Sequence, residues 1–272
     1  MTSKYFDFCD EIVREYFADT LLEGIYPPLQ EIFDFEFMPE PYLPLLTSDQ
    51  HLPSGYLKWL HVLSANPGEG LSIQRKSYVC AGKIEGVSDK VPYSQFAHRL
   101  FRKYEEFFPT RKDLKKGIGH FRSAQDLAEL SVYPGALQID SVPWHSERLD
   151  VRHKDTLPSL IKNDRRTKQY CALLRDYLHD CAVISIDGAR GRSEESISRD
   201  SFNNEWMKFK ADLIGMDIDN ATFSPILKKG KKITAAAMNV GGSAKVMYCV
   251  RGHNHLPGKD GLRALAKLLV KL

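Results

Sequence analysis

Apolar and polar positions recur along this chain with two different periods, and the places where one gives way to the other outline its elements. Between residues 3 and 19, Tyr5, Phe6, Cys9, Ile12, Val13, Tyr16 and Phe17 return at helical spacing, which predicts an amphipathic helix. The stretch YPPLQEIFDFEFMPEPYLPLL that follows is punctuated by proline. It reads as an irregular wrap around the core rather than a regular element. Residues 57–65 form an apolar run that predicts a first core strand. YSQFAHRLFRKYEEFF, residues 93–108, predicts a helix ending at Phe-Pro, and residues 124–130 a shorter one. Residues 135–140 predict a second strand. Residues 155–180 predict one long helix, with Leu157, Leu160, Ile161, Leu173, Leu174, Tyr177 and Leu178 on recurring faces. The β-branched run at 181–186 predicts a third strand. Residues 189–244 are polar and basic, with helix potential at 202–214 and an extra strand at 233–240. Residues 245–250, KVMYCV, predict a fourth core strand, and residues 261–272 a C-terminal helix carrying Leu262, Leu265, Leu268 and Leu269.

Strands that alternate with long helices predict an α/β fold: a parallel four-stranded central sheet with helices on both faces. Residues 1–50 form an N-terminal helical and irregular layer, and residues 51–272 the α/β domain. Ligands of such sheets sit beyond the carboxyl ends of the strands. Four segments therefore matter most: Asn66-Pro67-Gly68, the run from Asp140 to His145, Asp187-Gly188, and the run from Arg251 to Gly258.

Composition narrows the class. With 272 residues, 43% of them hydrophobic and 27% charged, the chain is globular by composition. No apolar run reaches the roughly 20 residues of a membrane span, and the acidic N-terminus lacks the basic start of a signal peptide. A cytoplasmic protein with no membrane partner is expected. Five widely spaced cysteines with no C-x-x-C pair point to buried free thiols rather than a zinc or iron–sulfur site. The net charge of +3 is unevenly spread: residues 1–50 hold 2 basic and 11 acidic side chains, a net of −9. Residues 223–272 hold 10 Lys and Arg, including KKGKK and Lys245, against the single acid Asp260. That asymmetry points to a polyanion partner for the C-terminal part, with a solvated lysine-rich surface as the alternative.

The strand ends carry the candidate chemistry. Asn66 is neutral at any working pH, so it can hold a water but not act as a general base. Pro67 fixes the backbone and Gly68 admits a ligand close to the main chain; an ordinary strand-terminating turn is the alternative. His253 and His255 follow the fourth strand, where a histidine can donate to developing negative charge or shuttle a proton. The same two residues, with His145 and Asp140, define the rival reading of a metal-dependent hydrolase, although their spacing is no recognised zinc signature. A non-catalytic nucleic-acid-binding module is the third reading.

Taken in order, these strand ends resemble the uracil-DNA glycosylase superfamily. VLSANPG resembles its first motif in the form G-x-N-P-G found in the mismatch-specific and single-strand-selective branches. KVMYCVRGHNHLPG resembles its last motif, a strand running into a His-Pro-Ser loop. LQIDSVPW stands where the family has a strand ending in a base-reading Asn, and AVISIDGAR resembles its third strand. The chain departs from the pattern at Ser64, where the family often has Gly, and after the histidine, where Pro-Ser is missing. Either His253 or His255 is therefore the counterpart. The stretch before the fourth strand is longer than in the family, and Asp140 replaces the base-reading Asn.

The resemblance implies a monomeric enzyme without cofactor or metal that flips a nucleobase out of DNA and hydrolyses its N-glycosidic bond. Asn66 would position the water, and His253 or His255 would stabilise the departing base. Asp140, Pro67, Gly68 and Tyr78 would line the base pocket. Arg251, Lys259, Lys228 and Lys229 would grip phosphates, and Leu256 would fill the vacated stack. The Asp140 substitution bears on the substrate. An Asn amide can donate to uracil O4 and accept from N3–H, whereas an ionised Asp only accepts, which suits the exocyclic amine of cytosine. A protonated Asp would imitate Asn and keep uracil as the alternative. Sparing normal cytosine favours a modified cytosine in foreign DNA, and so an antiviral defence role.

Overall fold

The computed structural model describes residues 8, 11–12, 14–16, 18–35, 60–66, 136–146, 149–188, 202–228, 231–240 and 243–250. Their packing falls into two units. The described part of one lies within residues 1–54, Ala65–Phe107 and Asp140–Leu173, and that of the other within Gly55–Ser64, Phe108–Ile139 and Leu174–Leu272.

Among the described residues the sheet has six strands: β1 (Leu60–Ser64), β2 (Ala136–Asp140), β3 (Ala182–Gly188), β4 (Thr222–Lys228), β5 (Lys231–Val240) and β6 (Ser243–Val250), in the order β2-β1-β3-β6-β5-β4. β1, β3 and β6 run parallel, and β5 and β4 are added antiparallel. The register sets His61, Val183 and Lys245 in one row and Leu63, Ser185 and Met247 in the next, all six shut off from solvent. Lys245, Val246 and Met247 are consecutive and all buried. Successive side chains point to opposite faces, so β6 is covered on both, which is what its continuous apolar run requires.

Among the described residues of this unit two lysines, Lys210 and Lys245, are internal. Lys245 donates from Nζ to the carbonyls of Leu178 (2.5 Å), Cys181 (2.5 Å) and His179 (3.0 Å). It caps the C-terminal end of a helix, where a cation is favoured. Lys245 therefore does not belong to the basic surface the charge count assigned it to, because its charge is spent on carbonyls that end the helix. Burial pushes its ammonium down to about 8 and the neighbouring Cys181 thiol up to about 12. Lys210 lies over the Trp206 ring at 6.0 Å and donates to the Leu63 carbonyl (3.2 Å). His61 meets the Tyr177 hydroxyl at 3.0 Å, edge-on to its ring.

Besides the one-turn helices Leu21–Gly24 and Pro27–Gln30, three helices of ten or more residues are described at full length: α1 (Val151–Asn163, 13 residues), α2 (Arg165–Leu178, 14 residues) and α3 (Glu205–Ile214, 10 residues). The single helix predicted for residues 155–180 is thus two, and it begins earlier. Asp164 breaks it. Its backbone is extended (φ −95°, ψ 119°), and its Oδ1 accepts from the amide of Thr167 (2.6 Å), which satisfies an orphan N–H of the next helix as an N-cap does. Asp150 and Asn204 cap α1 and α3 in the same way, and Gly215 ends α3 at φ 71°, the left-handed conformation that suits glycine.

β4 was missed in the polar, basic reading of residues 189–244, and β5 starts two residues before the predicted 233. Pro225 disguises β4, because proline cannot donate to a ladder. It is tolerated here since β4 is the last strand in the sheet order among the described residues, the position where proline is found.

In the other unit, Phe8, Ile12 and Tyr16 share one buried helical face, and Leu21, Ile25, Leu29 and Phe33 continue the apolar layer. Phe8 meets Tyr170 at 6.4 Å and Phe35 meets Trp144 at 5.2 Å between ring centroids. Glu11 and Glu15 pair with Arg166, so part of the acidic excess at the N-terminus is neutralised internally.

Candidate functional site

The sheet order carries functional information. β2 and β3 flank β1: the chain passes from β1 to β2 on one side, then from β2 to β3 on the other. Asn66 is the second residue after β1 in the chain.

Asn66 is held by the loop that follows β2. Its Nδ2 donates to the Trp144 carbonyl (3.2 Å) and to the Ser146 hydroxyl oxygen (2.7 Å). The Trp144 carbonyl can only accept, which fixes which end of the amide is nitrogen. Oδ1 is then the accepting end of the amide. One further bond, Val142 N–H to the Ala65 carbonyl at 3.2 Å, ties the same two loops together.

That loop is tied to its surroundings by several contacts. Residues Asp140 to Ser146 are all buried. The Tyr170 hydroxyl donates to the Asp140 carbonyl (2.9 Å), and the Cys171 thiol lies 3.8 Å from the Ser141 carbonyl. The Trp144 indole donates to Thr167 Oγ1 (2.7 Å), and Thr167 Oγ1 donates to Asp164 Oδ1 (2.6 Å). The Tyr26 amide donates to Asp164 Oδ2 (2.8 Å). A cap residue, a tryptophan and a segment from residue 26 thus fix the carbonyl that holds Asn66. His145 forms an isolated antiparallel bridge with Asp34, its carbonyl accepting from the Asp34 amide at 2.8 Å. Its Nδ1 lies 4.0 Å from Asp34 Oδ2.

Of the residues singled out from the sequence, Asn66 and Asp140 fall in this cluster. Asp140 ends β2 and is fully buried. Lys228 ends β4. Pro67, Gly68, Tyr78, Lys229, Arg251, His253, His255, Leu256 and Lys259 lie outside the described residues. Of the metal-site alternative, Asp140 and His145 are described. Among the described residues no three His, Cys, Asp or Glu side chains are grouped to hold a metal ion, and no helix is long and apolar enough to cross a membrane.

Sequence reasoning missed Ser146, Trp144, Thr167 and Asp164 as supports of Asn66. A signal for Asp164 existed: Asn163-Asp164 pairs two cap-forming residues inside an otherwise helical pattern. Nothing local marks Ser146, which is 80 residues from its partner. Comparison with protein-family models, with curated proteins and with solved structures finds no match for this chain.

Proposed function

We propose that the protein is a DNA glycosylase with the α/β architecture of the uracil-DNA glycosylase superfamily, acting on a modified cytosine in foreign DNA. The observation that carries the reading is the double hydrogen bond from Asn66 Nδ2 to Trp144 and Ser146. A carboxamide fixed at a strand end, with its acceptor oxygen oriented, suits the placing of a water at C1′ of a nucleotide. It needs no strong base if the barrier is lowered at the leaving group instead.

His253 or His255 supplies that second half, donating to the base oxygen as negative charge grows there. Asp140 reads the base. As an acceptor in a water-excluded loop it favours the exocyclic amine of a cytosine over the O4 of uracil. The target is flipped out of a duplex at a cost of about a few kcal/mol, offset by phosphate contacts from the basic C-terminal part.

The test uses duplexes carrying uracil, 5-hydroxymethylcytosine or glucosylated cytosine, followed by alkali to reveal abasic sites. Cleavage of a modified-cytosine strand, unaffected by EDTA, is expected. Asp140→Asn is expected to shift activity toward uracil. Wild-type preference for uracil would overturn the substrate assignment, and a chelator-sensitive activity would favour the metal-dependent hydrolase.

A further inference from the structure

The loop that holds Asn66 is met by a segment from the N-terminal part of the chain. After the one-turn helix Pro27–Gln30, the amides of Ile32 (3.1 Å) and Phe33 (3.0 Å) both donate to the Leu29 carbonyl, and the side chains of Leu29 and Phe33 are buried. That turn delivers Asp34 and Phe35 to the loop. The Asp34 amide donates to the His145 carbonyl (2.8 Å) in an isolated antiparallel bridge. The Phe35 ring lies against the Trp144 indole, their centroids 5.2 Å apart and their planes tilted by 46°. The other end of the segment is pinned where the Tyr26 amide donates to Asp164 Oδ2 (2.8 Å). All of these residues belong to one compact unit.

The place of contact is what carries chemical meaning. The two acceptors of Asn66 Nδ2 are the Trp144 carbonyl and the Ser146 hydroxyl oxygen. Asp34 holds the residue between them, and Phe35 packs on the side chain of the first. The Trp144 indole is thus held at its N–H by Thr167 (2.7 Å) and on its ring by Phe35. A displacement of residues 144–146 moves both acceptors together. The last torsion of an asparagine is broad and has no strong preference of its own, so the plane of the Asn66 carboxamide is set by those acceptors.

We propose that Asp34 and Phe35 are positioning residues for Asn66: the segment from Tyr26 to Phe35 is a strap that sets the plane of the carboxamide through residues 144–146. What Asn66 acts on rests on the function proposed above, whereas the strap does not. Two residues of the acidic N-terminal layer thereby become part of the site, and anything that displaces them acts on Asn66.

Nuclear magnetic resonance of the full chain tests the strap without any substrate. The Nδ2 protons of Asn66, assigned by their loss in Asn66→Ala, report through their rate of exchange with water. In Phe35→Ala that exchange should be about fivefold faster, the equivalent of about 1 kcal/mol and within what an aromatic pair contributes. Phe35→Tyr keeps the ring and should exchange at the wild-type rate. Ile12→Val trims a buried side chain of the same unit that takes part in none of these contacts, and should leave the rate unchanged. Unchanged exchange in a folded Phe35→Ala, or the same acceleration in Ile12→Val, would overturn the proposal. A second comparison needs no variant. The Asp34 amide, bonded to His145, and the Val142 amide, bonded to Ala65, should open as one, with deuterium protection factors within about fivefold of each other; a wider gap would overturn it as well. No DNA enters these measurements, so failure of the glycosylase reading leaves them standing. Where that reading holds, Phe35→Ala should also lower single-turnover excision about fivefold with duplex affinity unchanged, and an unchanged rate would refute the positioning role.

Discussion

Replacing Lys245 by Met tests how the sheet is held and gives a pH signature that ordinary core damage would not. The side chain is fully buried, and its Nζ serves the carbonyls of Leu178, His179 and Cys181. Methionine fills a similar volume without a donor. The Leu178 carbonyl keeps the Cys181 amide as a donor (3.1 Å), but each buried carbonyl left without a partner costs about 1–3 kcal/mol, and the relief of burying one charge offsets part of that. A net loss of about 2–4 kcal/mol at pH 7 is expected. The pH dependence follows from the two shifted groups. Burial holds the Lys245 ammonium at about 8 against an ordinary 10.5. From about pH 8 to 10.5 the unfolded chain therefore holds a proton that the folded chain has lost. Stability rises with pH across that window, by at most about 1.4 kcal/mol per pH unit. Cys181 opposes it. Burial raises its thiol from 9.0 to about 12, so above pH 9 the unfolded chain loses a proton the folded chain keeps, and stability falls. Wild type should gain stability from pH 8 to 9, level off to about 10.5, then decline. Lys245→Met should lack the rising limb. Urea unfolding followed by circular dichroism at pH 7, 8, 9 and 10 measures both curves. A wild-type-minus-variant difference that stays flat from pH 8 to 9 would refute the burial argument.

Ser146→Ala removes one of the two acceptors on Asn66. It should lower single-turnover excision about fivefold to tenfold, the equivalent of about 1 kcal/mol, with DNA affinity unchanged. Ser146→Thr should restore the rate, and a loss of binding in place of rate would count against a positioning role. Asp164→Ala removes the cap of α2 and three hydrogen-bond acceptances, from the Tyr26 and Thr167 amides and the Thr167 hydroxyl. It should cost about 2–3 kcal/mol by denaturant unfolding, and a loss under about 0.5 kcal/mol would show that the network does not hold the loop.

The sequence was most legible where pattern and environment agree. The apolar runs at β1, β3 and β6 are readable because a buried parallel strand has little else to be. The break at Asp164 was hidden because apolar residues keep helical spacing on both sides of it, and only the cap chemistry separates α1 from α2. β4 was hidden by Pro225, whose tolerance depends on its being at the edge of a sheet, a fact about neighbours rather than about the residue. Charge counting erred at Lys245 for a related reason. A lysine in a strand reads as surface unless one knows that a helix ends above it and offers three carbonyls. At the candidate site, Asn66 was legible from Asn-Pro-Gly after an apolar run. Its partners were not, because a contact between residues 66 and 146 leaves no local trace.

The central claim is that Asn66 works on a nucleobase rather than merely ending a strand. Single-turnover incubation of wild type and Asn66→Ala with a duplex bearing one glucosylated or hydroxymethylated cytosine, followed by hot alkali, tests it most directly. The account predicts a strand break at the modified position for wild type, with EDTA present, and none for Asn66→Ala, while both bind the duplex alike. Equal cleavage by the two proteins, or no abasic site from wild type on any modified cytosine or uracil, would contradict it.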